Sequence, residues 1–175
     1  MAAGNEQTRE RPRTRTRKRE VGRRRLRKED RPLITGDGEY TDDLADPSLL
    51  HLAVHRSRYG HARVEAVDTS AAAAHEGVVA VFTAEDLAAA GLDRGYRVEG
   101  PGDDPVTTEL PLLAGDRVRY AGEPLAVVVA EDRYGAASAA DLVDVSYDRL
   151  DAVVGVDDAL ADDAPVVHEA HESNR

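Results

Sequence analysis

The sequence predicts an α+β fold, and three observations carry that expectation. Residues 48–57 and 61–68 alternate apolar and polar side chains, the period-two pattern of half-buried strands. VVAVF at 78–82 and LAVVVA at 125–130 are unbroken apolar runs, the mark of strands buried on both faces. Alanine-rich stretches with helix-capping residues lie between them. The resulting order is hairpin, helix, strand, helix, loop, strand pair, helix, strand, strand. That order is not the regular strand–helix alternation of a doubly wound sheet.

The elements follow in sequence. SLLHLAVHRS (48–57) places Leu50, Leu52 and Val54 on one face of a strand. RYG is a turn, and HARVEAVD (61–68), with Ala62, Val64 and Ala66 on one side, is the expected hairpin partner. DTSAAAAHEG reads as a short helix, capped by Asp68 or Thr69 and closed by Gly77. After the VVAVF strand, Thr83 and Asp86 have capping-box spacing for a helix that stops at Gly91. Residues 91–115 carry Gly, Pro and Asp without periodicity and predict a long loop. RVRY (117–120) predicts a strand, Gly122-Glu123-Pro124 a corner, and LAVVVA a buried strand. Asp132 is the expected cap of an alanine-rich helix, followed by a strand at 143–147. LDAVVGVDDAL predicts one more short strand and a helical turn.

Composition narrows the chemistry. The 175 residues contain one Phe, Phe82, no Trp and no Cys. The core must therefore be built from Val, Leu and Ala with a few Tyr, thin for this length. Without cysteine there is no disulfide, thiolate nucleophile, Cys-ligated zinc or Cys-held iron–sulfur cluster; this is compatible with the cytoplasm, the expected location. No apolar run approaches the roughly 20 residues of a membrane helix. The polar start predicts no secretory signal.

Charge is asymmetric. Residues 1–31 hold 13 Arg and Lys against 5 Asp and Glu, a net of +8; residues 32–175 hold 10 against 29, a net of −19. Together these make the overall −11. An acidic, lysine-poor, alanine-rich body resembles proteins of a high-salt cytoplasm, where a carboxylate coat stays hydrated. An acidic docking surface for a basic partner is the rival reading. The first is preferred because the acids are spread along the chain. Residues 1–20, MAAGNEQTRERPRTRTRKRE, predict a disordered basic tail. Basic residues there suit phosphates, but the tail has no aromatic residue to stack on bases. The acidic body would also repel a nucleic acid, so none is the expected partner.

Candidate catalytic groups do not assemble from the sequence. Six histidines occur: His51, His55, His61, His75, His168 and His171. His51 and His55 sit four apart on a predicted strand, about 13 Å from one another by strand rise, too far to share a metal. HEAHE (168–172) lacks the i, i+4 spacing of H-E-x-x-H and reads as a surface tail. TGDGEYTDD (35–43) matches neither a dinucleotide fingerprint nor an EF-hand and reads as a turn. Ser57 and Ser146 lack nucleophile-elbow glycines. Glu123, between Gly122 and Pro124, has no base, metal ligand or oxyanion donor predicted beside it and reads as a corner. No catalytic, cofactor-binding or metal-binding residue is expected in the chain.

Five segments in register nevertheless carry a family resemblance. They are VGRRRLRKEDRPLITGDGEYTDDL, LLHLAVHRSRYGHARVEAVDTSAA, GVVAVFTAEDL, VRYAGEPLAVVVAEDRYGAASAADLVDVSYDRLDAVV and APVVHE. Together the chain resembles the N-terminal α/β-hammerhead domain of the molybdenum hydroxylase large subunit, the family of xanthine dehydrogenase, aldehyde oxidase and aerobic carbon monoxide dehydrogenase. Tyr59-Gly60 departs from the pair often found before His61-Ala62, and residues 1–20 have no counterpart. The resemblance implies a hammerhead of mixed sheet with helices on one side, over residues 48–169, after an entry segment at 21–47 and before a tail at 170–175. It also implies a fragment or split subunit, inactive alone, whose complete enzyme uses molybdopterin to oxidise aldehydes, purine-like heterocycles or carbon monoxide. The molybdenum-binding domains and iron–sulfur and flavin subunits would be its partners. A free-standing interaction protein that uses the basic arm is the alternative.

Overall fold

The computed structural model describes residues 22, 26–44, 46–92, 95–100 and 107–174. The predicted basic tail at 1–20 lies outside the described residues, as do parts of the predicted loop at 91–115. The chain divides into two units, residues 1–45 and 46–175.

In the first unit, helix α1 (Asp30–Thr35) ends where Gly36 turns to φ 82°. The Thr35 hydroxyl donates to Arg31 O at 2.8 Å and to Asp37 Oδ2 at 2.8 Å. A single 3-10 turn follows at Thr41–Asp43, and Asp43 Oδ2 accepts the Tyr40 N–H at 2.8 Å. TGDGEYTDD is therefore a helix stop and a turn, as its glycines and short acids dictate.

The second unit shuttles between two three-stranded sheets. Its strands are β1 (His51–Arg56), β2 (Ala62–Asp68), β3 (Val78–Thr83), β4 (Tyr96–Glu99), β5 (Thr107–Leu110), β6 (Arg117–Val118), β7 (Pro124–Ala130) and β8 (Asp144–Arg149). The first sheet has the order β1-β7-β3 and the second β6-β2-β8, while β4 and β5 form a separate ribbon. All the described ladders are antiparallel. The helices are α2 (Ser70–Ala73), α3 (Ala84–Ala89), α4 (Arg133–Ala140) and α5 (Val156–Ala159). The α+β class holds; in place of the expected mixed sheet, the strands are divided between two antiparallel sheets and a ribbon.

The expected hairpin between 48–57 and 61–68 does not form. β1 pairs with β7, and β2 pairs with β8 and β6. Alternation makes a strand but does not choose its partner. The chain leaves the first sheet at Ser57, whose N–H still donates to Glu123 O at 2.9 Å. Beyond Gly60 it enters the second sheet, and Tyr59 packs edge-on against Tyr147 of β8, ring centroids 5.0 Å apart. A bulge after Val64 leaves Glu65 unpaired and turns Ala66 outward, so Ala66 does not share the buried side of Ala62 and Val64. RVRY contributes only the two residues of β6 to a ladder. The predicted loop at 91–115 contains the β4–β5 ribbon, missed because its side chains are mostly polar or exposed. The strand expected in LDAVVGVDDAL is absent; its helical turn is α5.

Helix starts obey their capping residues. Asp132 Oδ1 accepts the N–H groups of Tyr134 at 2.8 Å and Gly135 at 3.0 Å, starting α4. Asp86 Oδ2 accepts the Thr83 N–H at 2.7 Å, starting α3. Alanines of α4 pack against β1 and β7, and the main cluster comprises Ala62, Ala72, Ala114, Val118, Leu125, Ala126, Val128, Ala139, Ala140, Val143 and Val145. Leu125, Val118 and Val128 are its largest fully buried side chains. The core is thin, as the composition requires.

The first sheet has two unlike faces. Cross-strand partners point the same way, so His51, Ala53 and His55 share one face with Ala130, Val128 and Ala126 and with Val78, Val81 and Thr83. That face carries α4: His55 Nδ1 lies 2.9 Å from Ala140 O. The other face holds Leu52, Val129 and Ala80 in one row and Val54, Val127 and Phe82 in the next. Leu52 is 62% exposed and Phe82 41%. Among the described residues, the runs expected to be buried on both faces are thus buried on one and partly exposed on the other.

Candidate functional site

Gly-Glu-Pro is the crossing between the two sheets, since β6 precedes it and β7 follows it. The Glu123 N–H donates to Tyr120 O at 3.2 Å, closing a four-residue turn. Gly122 has φ 92° while Ala121 does not enter the positive-φ region. That combination is a type II turn, which needs glycine at its third position. Its backbone is tied to the end of β1: the Gly122 N–H donates to Ser57 O at 2.8 Å and Arg56 Nη1 to Gly122 O at 2.9 Å.

The Glu123 side chain is only 2% exposed. Its Oε2 accepts a short hydrogen bond from the Arg119 backbone N–H. The carboxylate thus caps the backbone of the strand that enters the corner, a charge-assisted contact. Tyr120 stands next to it, and its phenol is held above its ordinary range by partial desolvation and then by the Glu123 charge. This geometry makes Glu123 a brace.

A broad cleft of about 1170 Å³ lies between the β4–β5 ribbon, residues near β6 and the C-terminal segment. Arg97, Glu109, Asp116, Arg119, His168 and His171 are among its lining. Two arginines here are ion-paired. Arg97 Nη2 is 2.7 Å from Glu109 Oε1, and the nearly buried Arg117 contacts Glu169 Oε1 at 2.5 Å.

HEAHE is not a free surface tail. His171 Nε2 lies 3.0 Å from Thr108 Oγ1, and the His168 and His171 rings are 6.2 Å apart. Burial, then the Arg119, His171 and His61 charges, lowers the His168 pKa and keeps the ring neutral. Asn174 holds the segment in place: its Oδ1 accepts the Val167 N–H at 3.0 Å and its Nδ2 donates to Pro165 O at 3.0 Å. No periodicity could have shown this, because the contacts join residues 63 positions apart.

The remaining histidines are scattered. His61 Nδ1 is 2.8 Å from Asp151 O, and its buried Nε2 has no hydrogen-bond partner. His75 Nδ1 is 2.8 Å from Glu76 O. Ser57 Oγ donates to Tyr59 O at 3.0 Å, a turn contact, and Ser146 is exposed on β8. Among the described residues no three His, Asp or Glu side chains are grouped to hold a metal. Nor do those residues fit a molybdopterin. The cleft shows a would-be phosphate three carboxylates, Glu109, Asp116 and Glu169, against two arginines, Arg119 and an Arg97 already paired with Glu109.

Comparison with known proteins decides the family. A model described as "Aldehyde oxidase and xanthine dehydrogenase, a/b hammerhead domain" matches residues 35–151. The chain belongs to this hammerhead family. It is 39% identical over 142 residues to the carbon monoxide dehydrogenase large chain of Hydrogenophaga pseudoflava, covering 81% of this chain and 17% of that one. It is 41% identical over 136 residues to the nicotine 6-hydroxylase large subunit of Paenarthrobacter nicotinovorans, covering 77% of this chain and 16% of the other. Among solved structures, quinoline 2-oxidoreductase from Pseudomonas putida 86 superposes with a TM-score of 0.75 at 38% identity, over 85% of this chain and 18% of that one. A Cu,Mo-containing carbon monoxide dehydrogenase gives 0.71, also at 38% identity. The hammerhead chain therefore spans less than a fifth of these relatives, a partial piece of the molybdenum hydroxylase architecture. No helix among its described residues is long and apolar enough to cross a membrane.

Proposed function

We propose that this hammerhead chain is a structural module of a molybdenum hydroxylase, a fragment or split subunit that is inactive alone. One observation carries the reading: residues 35–151 match the hammerhead model, while the chain covers 17% of its carbon monoxide dehydrogenase relative. The lack of a molybdopterin fit among the described residues points the same way, to a cofactor held elsewhere in a complete enzyme. That enzyme would oxidise an aldehyde, a purine-like heterocycle or carbon monoxide, in the cytoplasm, with iron–sulfur and flavin subunits as electron partners. Within the chain, residues 48–169 would be the module, 21–47 its entry segment, 1–20 a basic tail and 170–175 a C-terminal tail.

The test compares two samples. One is the purified 175-residue chain. The other is the same chain joined to the Hydrogenophaga pseudoflava carbon monoxide dehydrogenase large chain from which the matching segment has been removed, produced with that enzyme's other subunits. Molybdenum content and oxidation of carbon monoxide are measured in both. Molybdenum and turnover are expected only in the fusion. Turnover by the isolated chain, or failure of the fusion to load molybdenum while the isolated chain melts cooperatively, overturns the proposal.

A further inference from the structure

The first sheet carries an apolar face that the described residues leave partly exposed, Leu52 and Phe82 most of all. Leu52, Val129, Ala80, Val54, Val127 and Phe82 form two rows of three across β1, β7 and β3, with no polar or charged side chain among them. An antiparallel sheet facing water normally puts polar residues on that side. The second sheet does so along β2 and β8, where Arg63, Asp148, Ser146, Asp68 and Asp144 are polar and exposed, while Arg117 of β6, opposite Arg63, is ion-paired with Glu169. Both sheets belong to one unit of one chain, so composition does not account for the difference. VVAVF and LAVVVA are sequences for strands covered on both sides, and among the described residues one side is covered only in part.

We propose that this face seats an apolar surface of the adjoining molybdenum-domain polypeptide of the large chain. The inference rests on the proposed function and adds which side of the module makes the contact. Two observations favour that occupant over a second copy of this chain. The six side chains, with exposed Leu50 and Val79 beside them, fall far short of the roughly 20–30 residues per side of a stable interface between separate bodies. A neighbour on the same large chain needs less, because tethering supplies the effective concentration. Second, residues 32–175 carry a net of −19, so two copies brought face to face repel. The relatives contain more than four-fifths of their length beyond the matched part, ample polypeptide for the cover.

The absence of cysteine makes the test direct. Leu52→Cys, Phe82→Cys and, as a control, the 94% exposed Val154→Cys are made singly in the isolated chain and in the carbon monoxide dehydrogenase fusion. Thiol alkylation is followed peptide by peptide. Labelling at Leu52→Cys and Phe82→Cys is expected to slow at least tenfold in the fusion relative to the isolated chain, with Val154→Cys slowed less than twofold. If the fusion loads molybdenum but Leu52→Cys and Phe82→Cys react as fast as in the isolated chain, the face is not the seat, although the proposed function stands. If the fusion loads none while the isolated chain melts cooperatively, the proposed function falls and this inference with it. Protection that appears in the isolated chain and grows with its concentration assigns the face to a second copy and overturns the inference.

Discussion

The two three-stranded sheets of the second unit differ in how they meet solvent. The second sheet is finished: Val64, Val67, Val145 and Tyr147 face inward, while Arg63, Asp68, Asp144 and Asp148 face water. The first is covered by α4 on one side and carries two apolar rows on the other. The difference teaches that two sheets built from the same kind of antiparallel ladder can differ in how fully their faces are packed. Antiparallel ladders join the strands of both sheets; the apolar surface of the first asks for something more.

Substitutions sharpen that contrast, and the largest effect belongs to the covered side. Val128→Asp places a charge in a fully buried position under α4. A loss on the order of 3–5 kcal/mol is expected, as for an uncompensated buried charge, enough to abolish a cooperative urea transition in a thin-cored chain. The same transition recorded at Val128→Ala, with a smaller loss, separates charge burial from lost packing.

Next comes the corner that joins the sheets. Glu123→Ala removes the acceptor for the half-buried Arg119 N–H and empties its own buried volume. Roughly 2–4 kcal/mol is expected from an unsatisfied donor plus a cavity, read from the urea midpoint. Glu123→Gln keeps an acceptor oxygen and should lose less than half as much. Equal losses in the two variants would mean that charge, and not the hydrogen bond, is what the corner uses.

The open side should be far more tolerant. Leu52→Lys in the isolated chain is expected to change stability by no more than about 0.5 kcal/mol, the range of ordinary surface substitutions. A loss comparable to that of Val128→Asp would mean that this side is already covered within the chain, and the contrast between the sheets would collapse.

The smallest effect is electrostatic. Hydrogen bonds to backbone and side-chain donors lower the pKa values of Asp46, Asp68, Asp86 and Asp132. A carboxylate depressed in the fold favours it above the unfolded value, about 3.9, and loses that contribution as pH falls through its folded value. The melting temperature should therefore decline below about pH 4. Asp132→Asn still offers an oxygen to Tyr134 and Gly135 and should make that decline shallower. An unchanged slope would show that the α4 cap does not contribute to the acid transition.

Much of the fold was legible because its signals are local. Asp132 and Asp86 announce helix starts through side chains that bond two or three residues ahead. Gly122 announces a turn through a dihedral that other residues resist. Glu123 was readable as a corner from its neighbours alone, though not its bond to Arg119. The β4–β5 ribbon was hidden because Tyr96–Glu99 and Thr107–Leu110 have no buried residue to create a period. The role of HEAHE was hidden because Thr108 and Arg117 reach it from distant positions.

By itself the sequence determined most of the strands and helices, though not the β4–β5 ribbon, together with the thin Ala–Val core and the family, since each rests on residue order and short-range chemistry. Tertiary structure alone decided which strand pairs with which, that β1 and β2 part into separate sheets, and that one face of the apolar run stays open. The reason is physical: a period of two tells a strand which side is apolar, but partner and cover are set by competition among distant surfaces.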